Sequence, residues 1–134
     1  MISFAAVQKA SVERWKGFPS LAAIIGGRVY DGLEPEGSEY PLLRVGQKTE
    51  VPTLQYLGGN GWSNTIVGHA FSRYLGDGEI AAIVEQMDAA VAEPLVLDGY
   101  GTATLRRELL TTLEEEGGKL RHANVRYRIT THAA

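Results

Sequence analysis

Cysteine is absent from the 134 residues, so disulfides, thiolate nucleophiles and cysteine-ligated metals are excluded together. A small secreted scaffold held by disulfide staples is excluded with them. Long apolar runs are missing too. The longest, Leu21-Ala22-Ala23-Ile24-Ile25 and the equally long Ile80-Ala81-Ala82-Ile83-Val84, fall far short of the ~20 residues a membrane span needs. Met1-Ile2-Ser3-Phe4 has no basic segment ahead of an apolar stretch, so no signal peptide is predicted. The expectation is a soluble chain made in the cytoplasm, with no membrane partner. Basic charge is not in excess either: 13 Lys+Arg face 16 Asp+Glu, giving a net charge of −3. That balance argues against a protein whose main task is gripping phosphate backbones, and does not exclude contact with DNA that slides past without sticking.

What is present is enough for a core. With 44% hydrophobic residues, the chain reads as one domain spanning residues 1–134, able to bury roughly two-thirds of its unfolded surface.

Residues 4–16 read as a helix, capped by Ser3, with Phe4, Val7, Ser11 and Trp15 near one face. Gly17 breaks it. Pro19 suits the first turn of a second short helix through residues 21–25, which Gly26-Gly27 terminate. Arg28-Val29-Tyr30 is a short extended piece, and residues 31–41 form a loop of acidic residues broken by glycine and proline. Residues 42–48 are a strand weakened by Gly46, residues 50–61 a second loop, and residues 62–74 a long strand. Asp77 is the expected cap of the clearest helix, with Glu79 in its first turn. Its stripe is Ile80, Ile83, Val84, Met87 and Val91, at i, i+3, i+4, i+7 and i+11. Pro94 ends it, and Leu95-Val96-Leu97 with the Asp98-Gly99 turn leads into the last strands.

Two long strands, 102–115 and 119–131, flank Gly117-Gly118. A two-residue turn would set Leu109 opposite Arg126 and mix leucines with arginines and His122. A three-residue loop, Glu116-Gly117-Gly118, sets Leu105 opposite Ile129, Leu109 opposite Val125 and Glu108 opposite Arg126. A slip of one residue turns every side chain to the other face, so hydrophobicity favours the second pairing, with the odd-numbered face buried. A five-residue loop preserves the same parity. The fold class is α+β: a mostly antiparallel β-sheet with helices packed on one face, closing with a long C-terminal β-hairpin.

No catalytic constellation emerges. His69, His122 and His132 lack the spacing of a metal site and read as scattered strand or surface histidines. Asp31, Glu34, Glu36 and Glu39 do not match a calcium loop and read as solvated. Gly58-Gly59-Asn60-Gly61 lacks the lysine and Ser/Thr of a phosphate loop and precedes a strand. Ser11, Ser63 and Ser72 have no nucleophile-elbow context. Arg106, Arg107, Arg121, Arg126 and Arg128 make the last hairpin basic, partly neutralised by Glu108 and Glu114. Glu114-Glu115-Glu116 is a charged tip; its functional alternative is an electrostatic contact with a partner subunit, or repulsion of DNA in a channel. No enzyme, cofactor or metal is expected.

The order of these pieces resembles a known family. The N-terminal helix runs into Leu21-Ala22-Ala23-Ile24-Ile25-Gly26-Gly27-Arg28-Val29-Tyr30-Asp31, followed by Tyr40-Pro41-Leu42-Leu43-Arg44-Val45-Gly46. A strand ending His69-Ala70-Phe71-Ser72-Arg73, the helix of residues 79–91 and a strand ending Arg126-Tyr127-Arg128-Ile129 complete the pattern. It resembles the small tail-completion, or tail-terminator, proteins of long-tailed bacteriophages and related gene transfer agents. The resemblance implies a structural virion protein at the head–tail junction, forming a homohexameric ring on the last ring of the tail tube. There it would stop tube polymerisation, join the tail to the head-side connector or head-closure protein, and let DNA pass without specific binding. The loop of residues 50–61, with Tyr56, Leu57 and Trp62, is the candidate element that orders against the tube. Trp62 has a second reading, as a core anchor for its strand. A head-closure or neck subunit is the alternative within assembly proteins, and a small-ligand module or an enzyme using His69 the alternative outside them.

Overall fold

In the computed structural model, which describes residues 2–53 and 61–133, α1 (Phe4–Gly17) buries Val7, Ser11 and Trp15, spaced four residues apart along one stripe. Ser3 does not cap it through its own side chain, as the sequence suggested. The cap comes from β2 instead: the Glu50 carboxylate accepts from the Ser3 amide at 2.6 Å, the Phe4 amide at 3.0 Å and the Ser3 hydroxyl at 2.8 Å. A carboxylate satisfies the free amides and suits the helix dipole better than a hydroxyl. α2 (Pro19–Ile25) starts on proline and ends on Gly26 at φ 61°, whose amide donates to Ala22.

The expected helix at residue 79 is α3 (Gly78–Ala90), with Ile80, Ile83, Val84, Met87 and Val91 all buried. Asp77 makes no capping bond and faces Arg121 at 3.7 Å instead. The other end has a cap that local sequence did not show. The Arg14 guanidinium donates to the carbonyls of Ala90 at 2.8 Å, Glu93 at 3.0 Å and Pro94 at 3.0 Å, closing the C-terminus of α3 from α1.

The main sheet has the order β1-β2-β3-β7-β6, built from β1 (Val29–Asp31), β2 (Leu42–Thr53), β3 (Gly61–Ser72), β6 (Arg106–Glu115) and β7 (Leu120–His132). β1 runs parallel to β2 and the other pairings are antiparallel. β4 (Leu95–Leu97) and β5 (Gly101–Ala103) form a separate small hairpin around the expected Asp98-Gly99 turn. Gly46 does not end β2. It takes part in a bulge, with Gly46-Gln47 falling where Val67 alone stands opposite, and the strand continues to Thr53. At the expected loop of residues 50–61, residues 50–53 and Gly61 are therefore strand, with Thr53 paired to Gly61, and residues 54–60 lie outside the described ones.

α1, α2 and α3 cover one face of the sheet. Trp15, Leu21, Ile25, Leu43, Val45, Ile66, Ala70, Ile83, Met87, Val125 and Tyr127 form a single buried cluster there. Gly68 sits at its centre, where an added Cβ would come within 2.8 Å of the Met87 Cε methyl group and displace it. Trp15 packs at 5.6 Å on Tyr127, and its indole N–H donates to the Met87 carbonyl at 3.2 Å. The opposite face carries a smaller cluster of Leu42, Phe71 and Leu120 with Tyr30 and Tyr40, under the loop of residues 32–41.

The C-terminal hairpin corrects the expected register. Arg106↔Arg128 and Arg107↔Tyr127 follow the predicted pairing, and Leu105 is buried. A bulge at Glu108 then shifts the strand, giving Leu109↔Arg126, Thr111↔Asn124 and Leu113↔His122. This is the pairing hydrophobicity disfavoured. The connection spans residues 116–119, with Glu116, Gly117 and Gly118 at φ 53°, 67° and 88°, which sets Glu115↔Leu120. β6 is an edge strand at the margin of the helix layer, where Arg107 reaches Asp88 of α3 at 3.0 Å but the leucines stay exposed, so turn geometry and not burial decides the register.

Candidate assembly surfaces

The expected interface residues separate to opposite ends of the sheet. Pairing runs from Thr53↔Gly61 and Gly61↔His132 at one end to Leu42↔Phe71 and Glu115↔Leu120 at the other. Along β7 that is about 40 Å at ~3.3 Å per residue. Tyr56 and Leu57 lie outside the described residues. Trp62 is buried, edge-on to Tyr100 at 5.8 Å, while the Tyr100 hydroxyl donates to the Ile2 carbonyl. Below it Ser3, Asn64 and Thr131 interlock with Glu50, tying the N-terminus to β2, β3 and β7.

At the far end each glutamate of the tip has an intramolecular partner. Glu114 pairs with Arg121, Glu115 accepts from His122 Nδ1 at 3.2 Å, and Glu116 pairs with Arg73 at 2.6 Å. Arg73 in turn lies 4.4 Å over the Tyr40 ring. These contacts hold the tip against the body and give it a fixed shape.

The face away from the helices carries a cluster the sequence hid. His69 Nδ1 lies 2.9 Å from His122 Nε2, although the two are far apart in the chain. With Glu115 accepting from His122 Nδ1, the consistent assignment has His69 Nδ1 donating to His122 Nε2. Phe71 stacks on His122 at 4.2 Å and Arg44 lies 4.9 Å over Phe71. Burial, then the neighbouring His122 and Arg44, push the His69 pKa below its ordinary value. The pairing Phe71↔His122 is what creates the contact. Its only sequence signal was that β3 and β7 are both long. Among the described residues, no three of His, Asp and Glu are grouped to hold a metal ion, and no helix is long and apolar enough to cross a membrane.

β6 is the least covered element. All of it except Glu115 is exposed, including Leu109, Leu110 and Leu113. Beside it Glu108 accepts from Arg126 Nε at 2.8 Å and Arg128 Nε at 2.7 Å, which holds its carboxyl below the usual range. Residues 102–108 and 128–132 frame an open hollow of about 480 Å³ at this edge.

The family described as "Tail completion protein gp17" matches residues 10–132. The chain belongs to that family. Membership makes it a structural component of a phage-type tail. A chain from a solved structure titled "Virion of native gene transfer agent (GTA) particle" superposes with a TM-score of 0.87 at 20% identity, covering 98% of this chain and 98% of that one. At that identity the likeness is one of fold. No curated protein matches. The structural order that carries the family, from α1 through the β2–β3 hairpin and α3 to β7, is the order on which the sequence resemblance rested.

Proposed function

We propose that the chain, residues 1–134 acting as one tail-terminator domain, assembles into a homohexameric ring on the last ring of a phage or gene-transfer-agent tail tube. In this reading the ring stops tube polymerisation and joins the tail to the head-side connector, at the head–tail junction of the virion. The role is non-catalytic. The observation that carries the reading is the exposed ten-residue edge β6 in a member of a tail completion family. An open edge with exposed leucines is an aggregation hazard unless a partner covers it, and a closed cyclic ring covers every such edge equally. The separation of the two ends of the sheet also suits a subunit with one neighbour on each side. In this reading Tyr56 and Leu57 contact the tube, Trp62 anchors the start of β3, and Glu114, Glu115 and Glu116 face the connector. The net charge of −3 leaves DNA free to pass.

The test is to mix the purified chain with tubes assembled from the neighbouring tube protein and view them by negative-stain electron microscopy. A ring at one end of tubes of uniform length is the expected result. Uncapped tubes, with the chain bound to DNA-filled heads, would move the protein to the head-closure class.

A further inference from the structure

β6 and β1 are opposite edges of the same sheet, and their surroundings carry opposite charge. On the β6 side, Arg106 has no anionic partner among the described residues, and Arg126 and Arg128 share the single carboxylate of Glu108. Leu109 is 45% and Leu113 38% exposed in the same strip. On the β1 side, the loop of residues 32–41 presents Leu33, 80% exposed, beside Glu36, which has no cationic partner among the described residues. Glu39 reaches Arg28 only at 3.9 Å, with its side chain 84% exposed. An open hollow of about 430 Å³ runs along this loop between Leu33, Glu36 and Arg73.

Both strips lie on the face away from the helices. Arg106 stands opposite Arg128, and the loop is fixed to that face by Glu34–Arg44 at 3.1 Å and by Tyr40 against Phe71 at 6.5 Å. We propose that β6 with Arg106, Arg126 and Leu109 of one copy docks on the acidic loop with Leu33, Glu36 and Glu39 of the next, making the head-to-tail contact of the ring. This inference rests on the ring reading above. Its occupant is a second copy of this chain because guanidinium groups that share one carboxylate on the β6 side complement the loosely paired carboxylates of the loop, so one contact serves both edges of the sheet. A two-fold contact through β6 would cover that edge alone and leave the acidic loop of both copies open. The heterologous contact pairs guanidinium with carboxylate and leucine with leucine, and repeats around a closed ring. Arg126 and Arg128 stand about two to four residues further along the strands than the loop. The contact therefore needs a stagger between copies, as strands closing into a ring adopt.

The cysteine-free chain makes the test clean. A Leu33→Cys/Leu109→Cys variant, assembled on tail tubes and treated with a short bismaleimide, is expected to give a ladder from dimer upward, whereas either single variant gives monomer. In parallel, Arg106→Glu/Arg126→Glu and Glu36→Arg/Glu39→Arg are each expected to lose tube capping at least tenfold. An equimolar mixture of the two should recover it, because each reversed strip then meets its complement. Capped tubes with no ladder, and charge variants that cap alone, would overturn this contact and leave the ring reading standing. Efficient dimers from Leu109→Cys alone would show a two-fold contact, and cross-links from Leu109→Cys to the tube protein would show a different occupant; either overturns the proposal. Wild-type chain that never forms rings would remove both readings.

Discussion

β6 and β7 are paired neighbours in one hairpin, yet they obey different rules. β7 is central: Ala123, Val125, Tyr127, Ile129 and Thr131 alternate into the core, and Arg126 and Arg128 alternate out. β6 has the same strand chemistry in its sequence, but its leucines stay at the surface on both faces. The difference is position. A strand with a helix layer over one face has its register chosen by burial, whereas an edge strand that meets the layer through the Arg107–Asp88 ion pair, its leucines exposed, does not. In our account β7 is kept for folding and β6 for assembly.

The comparison is sharpest as a matched pair of truncations. Tyr127→Ala on β7 removes a fully buried ring, its contact with Trp15 and its 2.7 Å bond to Asp88. It should lower unfolding stability by about 3–5 kcal/mol in chemical denaturation. Leu109→Ala on β6 should change it by no more than about 0.5 kcal/mol. Equal losses would erase the distinction between the strands.

A second break targets the bulge that shapes the open face. Gly46→Ala would drive its new methyl into the His69 imidazole, and should cost about 1–3 kcal/mol. His69→Ala in the same chain should return most of that, because the two changes share one space. Additive losses would show that the backbone, not the imidazole, demands glycine.

Glu50→Ala tests the cap borrowed from β2. It leaves the Ser3 and Phe4 amides without their acceptor and should cost about 1–2 kcal/mol, read from the thermal midpoint. The smallest effect is that of pH. The His69 pKa is depressed in the fold, so the unfolded chain takes up its proton first as pH falls. Stability is then lost as pH drops through the ordinary imidazole range near 6.5, and the loss levels off below the folded value. His69→Asn should flatten that part of the profile, measured by denaturant titration from pH 8 to pH 5.

What was legible in the sequence was what short-range periodicity encodes. The stripe of Ile80, Ile83, Val84, Met87 and Val91 and that of Val7, Ser11 and Trp15 marked both long helices and their buried faces. Pro19 and Gly26 bracketed α2 for local backbone reasons. The failures share one cause, a partner distant in the chain. Ser3 and Asp77 had the chemistry of caps, but Glu50 and Arg121 arrive from strands and take those groups up. Gly46 weakens the strand pattern in the sequence, yet it sits in a bulge past which β2 continues to Thr53 on its pairing with β3. His69 and His122 meet only because β3 pairs with β7 in one register. Of the candidate interface, Glu114, Glu115 and Glu116 are where the sequence put them, at a hairpin tip, but each is already paired. Trp62 is buried against Tyr100, which local sequence left open between two readings.

The central claim, that β6 is held open for assembly while β7 is held closed for folding, is tested most directly by amide hydrogen exchange on the free chain and on the chain bound to tail tubes. The account predicts that β7 amides are protected in both, and that β6 amides not bonded to β7 exchange fast when free and become protected on the tube. Unchanged, fast exchange along β6 on fully capped tubes would contradict it.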